Sequence, residues 1–247
     1  MSPRGRGRLT SMSTFVLIPG AGSDRWYWHL VEPELQACGH RTVAVDLPCD
    51  DDSAGFPEYA DAVVEQVTAA GRAGDDDMVV VAQSMAGFTA PMLVDRLPVG
   101  MIVLVAGMVP APGESAGDWW ANTGQGAAQR AAAVAEGRDP DAVFDPVETF
   151  CHDLSPELIQ ASLTHVTEQS GTPFAKPWPL AAWPDVPTRF LLCRHDRFFP
   201  ADFQRRVVQE RLGIVADEMD GGHLPALHSP AGLADRLDAY VFARRVH

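Results

Sequence analysis

Short apolar runs alternate with helically spaced stretches along most of this chain, and that alternation constrains its fold more than any other feature. The runs TFVLI (14–18), RTVAV (41–45), MVVVA (78–82), MIVLVA (101–106), RFLLC (189–193) and IVADEM (214–219) read as strands. Residues 26–37, 57–71, 88–97, 201–212 and 230–245 carry helical spacing between or after them. A strand that is apolar on both faces has to be covered on both faces, and intervening helices supply the crossovers of a parallel sheet. The expectation is an α/β protein with about six mostly parallel strands and helices on both sides. At 247 residues the chain is long enough to bury one large core of this kind.

Residues 108–184 break the rhythm. They hold Trp119, Trp120, Trp178 and Trp183, many Ala and Pro residues, and helical patches near 126–136 and 156–168. With no clear strand, this stretch reads as a helical cap inserted into a core formed by residues 13–107 and 185–247. Residues 1–12 include PRGRGR and read as a disordered tail, with Met12 a second candidate start.

Net charge is −14, and the tail holds the only basic cluster. That balance argues against nucleic acid and anionic membrane surfaces as partners, since both need clustered Lys and Arg. No apolar run is long enough to span a bilayer, and no signal peptide is recognisable. The four cysteines lack CxxC spacing, so reduced thiols and a cytoplasmic location are the expectation. No motif suggests a metal or other cofactor. The partner expected is a small molecule, with a second copy of the chain left open.

The third strand runs into AQSMAG, residues 82–87. Small residues at Ala82, Ala86 and Gly87 fit a relaxed G-x-S-x-G turn, which lifts a serine to the carboxyl end of a sheet. The plainer reading makes Ser84 only a helix cap. Three other segments weigh against it. The loop after the first strand, PGAGSDRWYW, contains Gly20 and Gly22, so its backbone can approach a ligand closely. In such an architecture the amides of Ala21 and Met85 would face one spot as an oxyanion hole. Asp196 follows the fifth strand in CRHDRFFP, and His223 follows the sixth in MDGGHLPAL. Ser, then Asp, then His is the order hydrolases of this fold show. His228 and Asp220 are rivals; the first suits packing or solvent, the second suits holding the turn.

On FVLIPGAG…WYW, VAVDLP, AQSMAG, HDRFFP and GGHLPAL, residues 14–245 resemble the α/β-hydrolase superfamily. Within it the chain is similar to the small esterase branch that includes plant methyl esterases and hydroxynitrile lyases. The resemblance implies Ser84 as nucleophile, His223 as base and then acid, Asp196 as its orienting carboxylate, and Ala21 and Met85 as oxyanion donors. Two departures bear on the reaction. The lyases carry a lysine where this chain has Leu224, and a threonine where it has Gly20. The implied reaction is therefore hydrolysis of a small carboxylic ester or lactone, rather than cyanohydrin cleavage. Amides and thioesters fit the same chemistry, and from another class the chain reads as a non-catalytic ligand receptor. An aspartate-nucleophile dehalogenase or epoxide hydrolase is disfavoured by Ser84 itself. Gly20, Trp119, Trp120, Phe144, Trp178 and Leu224 are the expected pocket residues.

Overall fold

A computed structural model describes residues 12–246. The tail reading falls on residues 1–12 and, Met12 apart, lies outside the described residues. The chain begins with β1 (Thr14–Ile18), a 3-10 turn (Arg25–Trp28), α1 (Val31–Ala37), β2 (Arg41–Ala44), α2 (Phe56–Ala69) and β3 (Met78–Gln83). Two further 3-10 turns, Ser84–Phe88 and Ala90–Leu93, lead to β4 (Val99–Val105). The insertion then runs through α3 (Ala116–Thr123), α4 (Gln125–Ala135), α5 (Pro146–Phe150), α6 (Pro156–Leu163) and α7 (Thr172–Ala175). The chain closes with β5 (Thr188–Cys193), α8 (Ala201–Leu212), β6 (Asp217–Met219), α9 (Pro225–His228) and α10 (Pro230–Val246).

The six strands form one parallel sheet in the order β2-β1-β3-β4-β5-β6. Strand residues alternate between two cores, as the two-residue period of a pleated strand requires. Val16, Ile18, Val80, Ile102, Leu104 and Leu192 pack against α2 and α8 through Tyr59, Val63, Phe203 and Val207. Phe15, Leu17, Val79, Val81, Val103 and Leu191 pack against α1 and α10 through Val31, Leu35, Leu233 and Leu237. Strand order reverses between β1 and β3: the chain leaves β1 in one direction and β3 in the other. Their two loops diverge over the carboxyl edge, where open α/β sheets bind ligands.

Several expected elements differ from those observed. Residues 88–97 form no α-helix. Pro91 has no N–H to give Gly87, and its ring would clash with that carbonyl, so only short 3-10 turns form. Residues 26–37 divide into the 3-10 turn and α1. The last strand keeps only Asp217–Met219. A buried ion pair ties the insertion to α8, as Arg211 donates to both carboxylate oxygens of Glu114.

Candidate active site

Ser84 stands directly after β3 with φ +53, a left-handed conformation that is rare for any residue with a side chain. Such strain costs about 1–3 kcal/mol and persists where the surroundings fix it. Here they do. Met108 N–H donates to the Ser84 carbonyl at 2.9 Å, closing the chain tightly over the turn. A Cβ on Gly87 would lie 1.9 Å from the Met108 carbonyl oxygen, so only glycine fits there. Sheet register brings the second loop in. Ile18 pairs with Ala82, so the residues that follow them, Pro19-Gly20 and Gln83-Ser84, run side by side. A Cβ on Gly20 would meet the Gln83 side-chain oxygen at 2.2 Å and Ser84 Cβ at 3.0 Å.

His223 Nε2 lies 3.2 Å from Ser84 Oγ, and His223 Nδ1 lies 2.8 Å from Asp196 Oδ2. The other Asp196 oxygen accepts from the Phe198 and Phe199 amides at 2.8 and 2.9 Å. A carboxylate holding three donors fixes the imidazole tautomer: the proton sits on Nδ1, leaving Nε2 free to accept from the serine hydroxyl. Gln83 Nε2 donates to the His223 carbonyl at 3.2 Å, tying the histidine loop to the serine turn. Asp196 and His223 are each 3% exposed, and Ser84 is 8% exposed. Phe150, Phe198 and Phe199 surround the imidazole with ring centroids 5.1–5.3 Å away. Those apolar neighbours keep water from competing with the pair.

Ser84 and His223 open into a cavity of about 410 Å³, a size suited to a small organic ligand. Ala21 and Met85 line it beside the serine, as do Trp120, Phe144 and Leu224. Gly20, Trp119 and Trp178 do not belong to this wall. Gly20 sits behind it, packed on Gln83. Trp119 donates its indole N–H to the Val109 carbonyl and Trp178 donates to that of Phe88, so both serve buried packing. A buried indole N–H usually finds an acceptor, and those two carbonyls are inside the protein rather than in the cavity.

Phe150, a wall candidate from the sequence, lines it too, and so do residues that the sequence did not single out, among them Tyr27, Phe174 and Phe198. Phe198 was recoverable from its place two residues after Asp196, and Tyr27 from the WYW that ends the first loop; Phe174 belongs to a distant segment with no local signature. Burial pushes the Tyr27 hydroxyl well above its ordinary pKa, so it lines the cavity as a neutral group. Burial likewise raises the Cys151 thiol, which keeps the cavity's cysteine protonated and weakly nucleophilic.

The rival residues lie elsewhere. His228 meets Asp153, with Nδ1 3.1 Å from its Oδ2, and Asp220 pairs with Arg194 on the surface. His195 is exposed and 4.0 Å from Asp220. All four cysteines are free thiols. Among the described residues, no helix is long and apolar enough to cross a membrane.

The sequence profile of the alpha/beta hydrolase family matches residues 15–236. The chain belongs to that family. Methylesterase 7 of Arabidopsis thaliana is 26% identical over 90% of this chain and 94% of its own. Two solved structures share the fold. Polyneuridine aldehyde esterase superposes with a TM-score of 0.73 at 19% identity, over 92% of this chain and 98% of its own. A pyrethroid hydrolase from Sphingobium faniae JZ-2 superposes with a TM-score of 0.74 at 21% identity, over 96% and 100%.

Proposed function

We propose that this protein is a carboxylic ester hydrolase working through Ser84, His223 and Asp196. The observation that carries this reading is the buried relay from Ser84 Oγ to His223 Nε2, and from His223 Nδ1 to Asp196, opening into the cavity. Its relatives' names, methylesterase and esterase, agree with it.

Ser84 Oγ attacks the ester carbonyl while His223 Nε2 takes its proton. Asp196 holds the tautomer and stabilises the imidazolium that forms. The oxyanion is received by the Ala21 and Met85 amides, each worth about 3–4 kcal/mol to the tetrahedral intermediate. Its collapse breaks the ester C–O bond, and His223 returns the proton to the departing alkoxide. Water, deprotonated by His223, then cleaves the acyl-enzyme and regenerates the serine. The strained turn at Ser84 keeps the hydroxyl clear of the sheet throughout.

The helices between β4 and β5 act as a cap over this chemistry. Trp120, Phe144, Phe150 and Phe174 give the cavity a largely apolar wall, suited to an ester with an apolar body. Leu224 lines the same wall with an aliphatic side chain, which favours hydrolysis over a reaction needing a cation there. A cytoplasmic location fits the four free thiols.

Initial rates on p-nitrophenyl acetate and butyrate test the reading, with Ser84→Ala as the control. We expect the wild type to turn over and the variant to lose on the order of 10³-fold or more. Equal rates in the two proteins would refute the serine mechanism. Saturable binding without turnover would favour a receptor.

A further inference from the structure

We propose that Asp153 is a positioning residue for the catalytic histidine, and that through it the cap sets the geometry of the relay. The inference rests on the esterase reading for its kinetics, though not for its geometry. His152 and Asp153 follow α5 in the insertion and dock on the loops after β5 and β6. The Asp153 carboxylate, in Oδ2, accepts from the Gly222 N–H at 2.6 Å, one residue before His223. His152 Nε2 lies 3.0 Å from the His195 carbonyl, one residue before Asp196. Two consecutive cap residues thus hold the backbone immediately before both members of the acid–base pair.

Three further observations fit this role. A Cβ on Gly222 would lie 2.8 Å from His152 Nε2 and 3.1 Å from each Asp153 oxygen, so the glycine leaves the room in which the cap docks. His228 Nδ1 contacts the Asp153 carboxylate at 3.1 Å, while the His228 ring fills the space beside Gly221. Burial, aided by nearby Arg197, lowers the His152 pKa and favours the neutral ring, whose Nε2 faces the His195 carbonyl.

A shift of the imidazole by a fraction of an ångström spoils proton transfer, and a displacement of about 1 Å can cost on the order of 10²-fold. Because the Asp153 hydrogen bond stops at the backbone, its loss should act on kcat rather than on substrate binding. The test compares wild type with Asp153→Ala, Asp153→Asn and Gly222→Ala, all at matched folded concentration on p-nitrophenyl butyrate. The far-downfield proton resonance of His223 Nδ1 is recorded alongside, assigned by its loss in His223→Ala.

We expect Asp153→Ala and Gly222→Ala to lower kcat by about 10- to 100-fold, with KM within about twofold. Asp153→Asn keeps an oxygen to accept from Gly222 and should retain most of the rate. The downfield resonance should stay sharp in wild type and Asp153→Asn, and broaden or vanish in Asp153→Ala. An unchanged kcat and resonance in Asp153→Ala would overturn the proposal, as would an Asn variant as impaired as the Ala one. If the wild type hydrolyses no ester, the resonance alone decides, and the esterase reading fails separately.

Discussion

At the scale of single residues, the site depends on positions where no larger side chain fits. Gly87 is the clearest, because its missing Cβ is what lets the Met108 carbonyl close over the serine turn. Gly87→Ala must push that backbone away, and we expect a loss of about 1–3 kcal/mol in stability. Activity should fall as well, since the Met108 amide holds the Ser84 carbonyl. Urea denaturation and initial rates on one sample measure both; an alanine variant of full stability and rate would contradict the geometry. The small residues of AQSMAG were legible in the sequence because steric exclusion leaves a compositional trace. The packing of Trp119 and Trp178 left none: a tryptophan in a cap reads the same whether its indole faces a cavity or a buried carbonyl. Asp153 was equally silent, its partner Gly222 being far away in the chain.

At the scale of elements, the strands were readable and the helices less so. Strands buried on both faces, such as β3, announce themselves as unbroken apolar runs. The stretch after Ser84 looked helical by spacing, but Pro91 overrode the pattern locally. Helices α3, α5 and α7 are short and take their stability from docking, so periodicity gave little sign of them. That docking invites a prediction. Glu114, beside α3, is 4% exposed at its side chain and meets Arg211 of α8. Burial alone would raise its carboxyl pKa, but Arg211, Asn122 and the Ala111 amide outweigh burial and hold it below the ordinary value. A carboxyl depressed on folding adds stability above its unfolded pKa and loses it as pH falls through the folded value. Glu114→Ala strands the arginine and should cost about 3 kcal/mol or more near neutral pH. The deficit should shrink on acidification. Thermal melts of both proteins from neutral to acid pH measure this, and a pH-independent difference would count against the pair.

At the scale of the whole molecule, the sheet supplies one edge of the cavity and the helices between β4 and β5 supply the other side. Parallel strands all end on that edge, so the loops after β3, β5 and β6, which carry the relay, meet there beside the loop after β1 and the segment after β4. Away from Phe150, His152 and Asp153, which pack on the relay loops, residues at the rim of the cavity should tune substrate size without touching the relay. Phe144 lines the cavity and is still 56% exposed, so its ring marks the rim. Removing it forfeits about 1–2 kcal/mol of apolar contact with a long acyl chain. We expect Phe144→Ala to raise KM for p-nitrophenyl octanoate by about 5- to 30-fold while leaving the acetate unchanged, measured by steady-state kinetics. Equal effects on both esters would place the ring outside the substrate's path. The central claim, that Ser84 is a nucleophile activated by His223, is tested most directly by treating the protein with a fluorophosphonate and locating the adduct by peptide mass spectrometry. The expected result is one phosphonyl group per chain, on Ser84, with labelling slowed severely in His223→Ala. A protein that stays unlabelled, or that carries the group on another residue, would contradict the account.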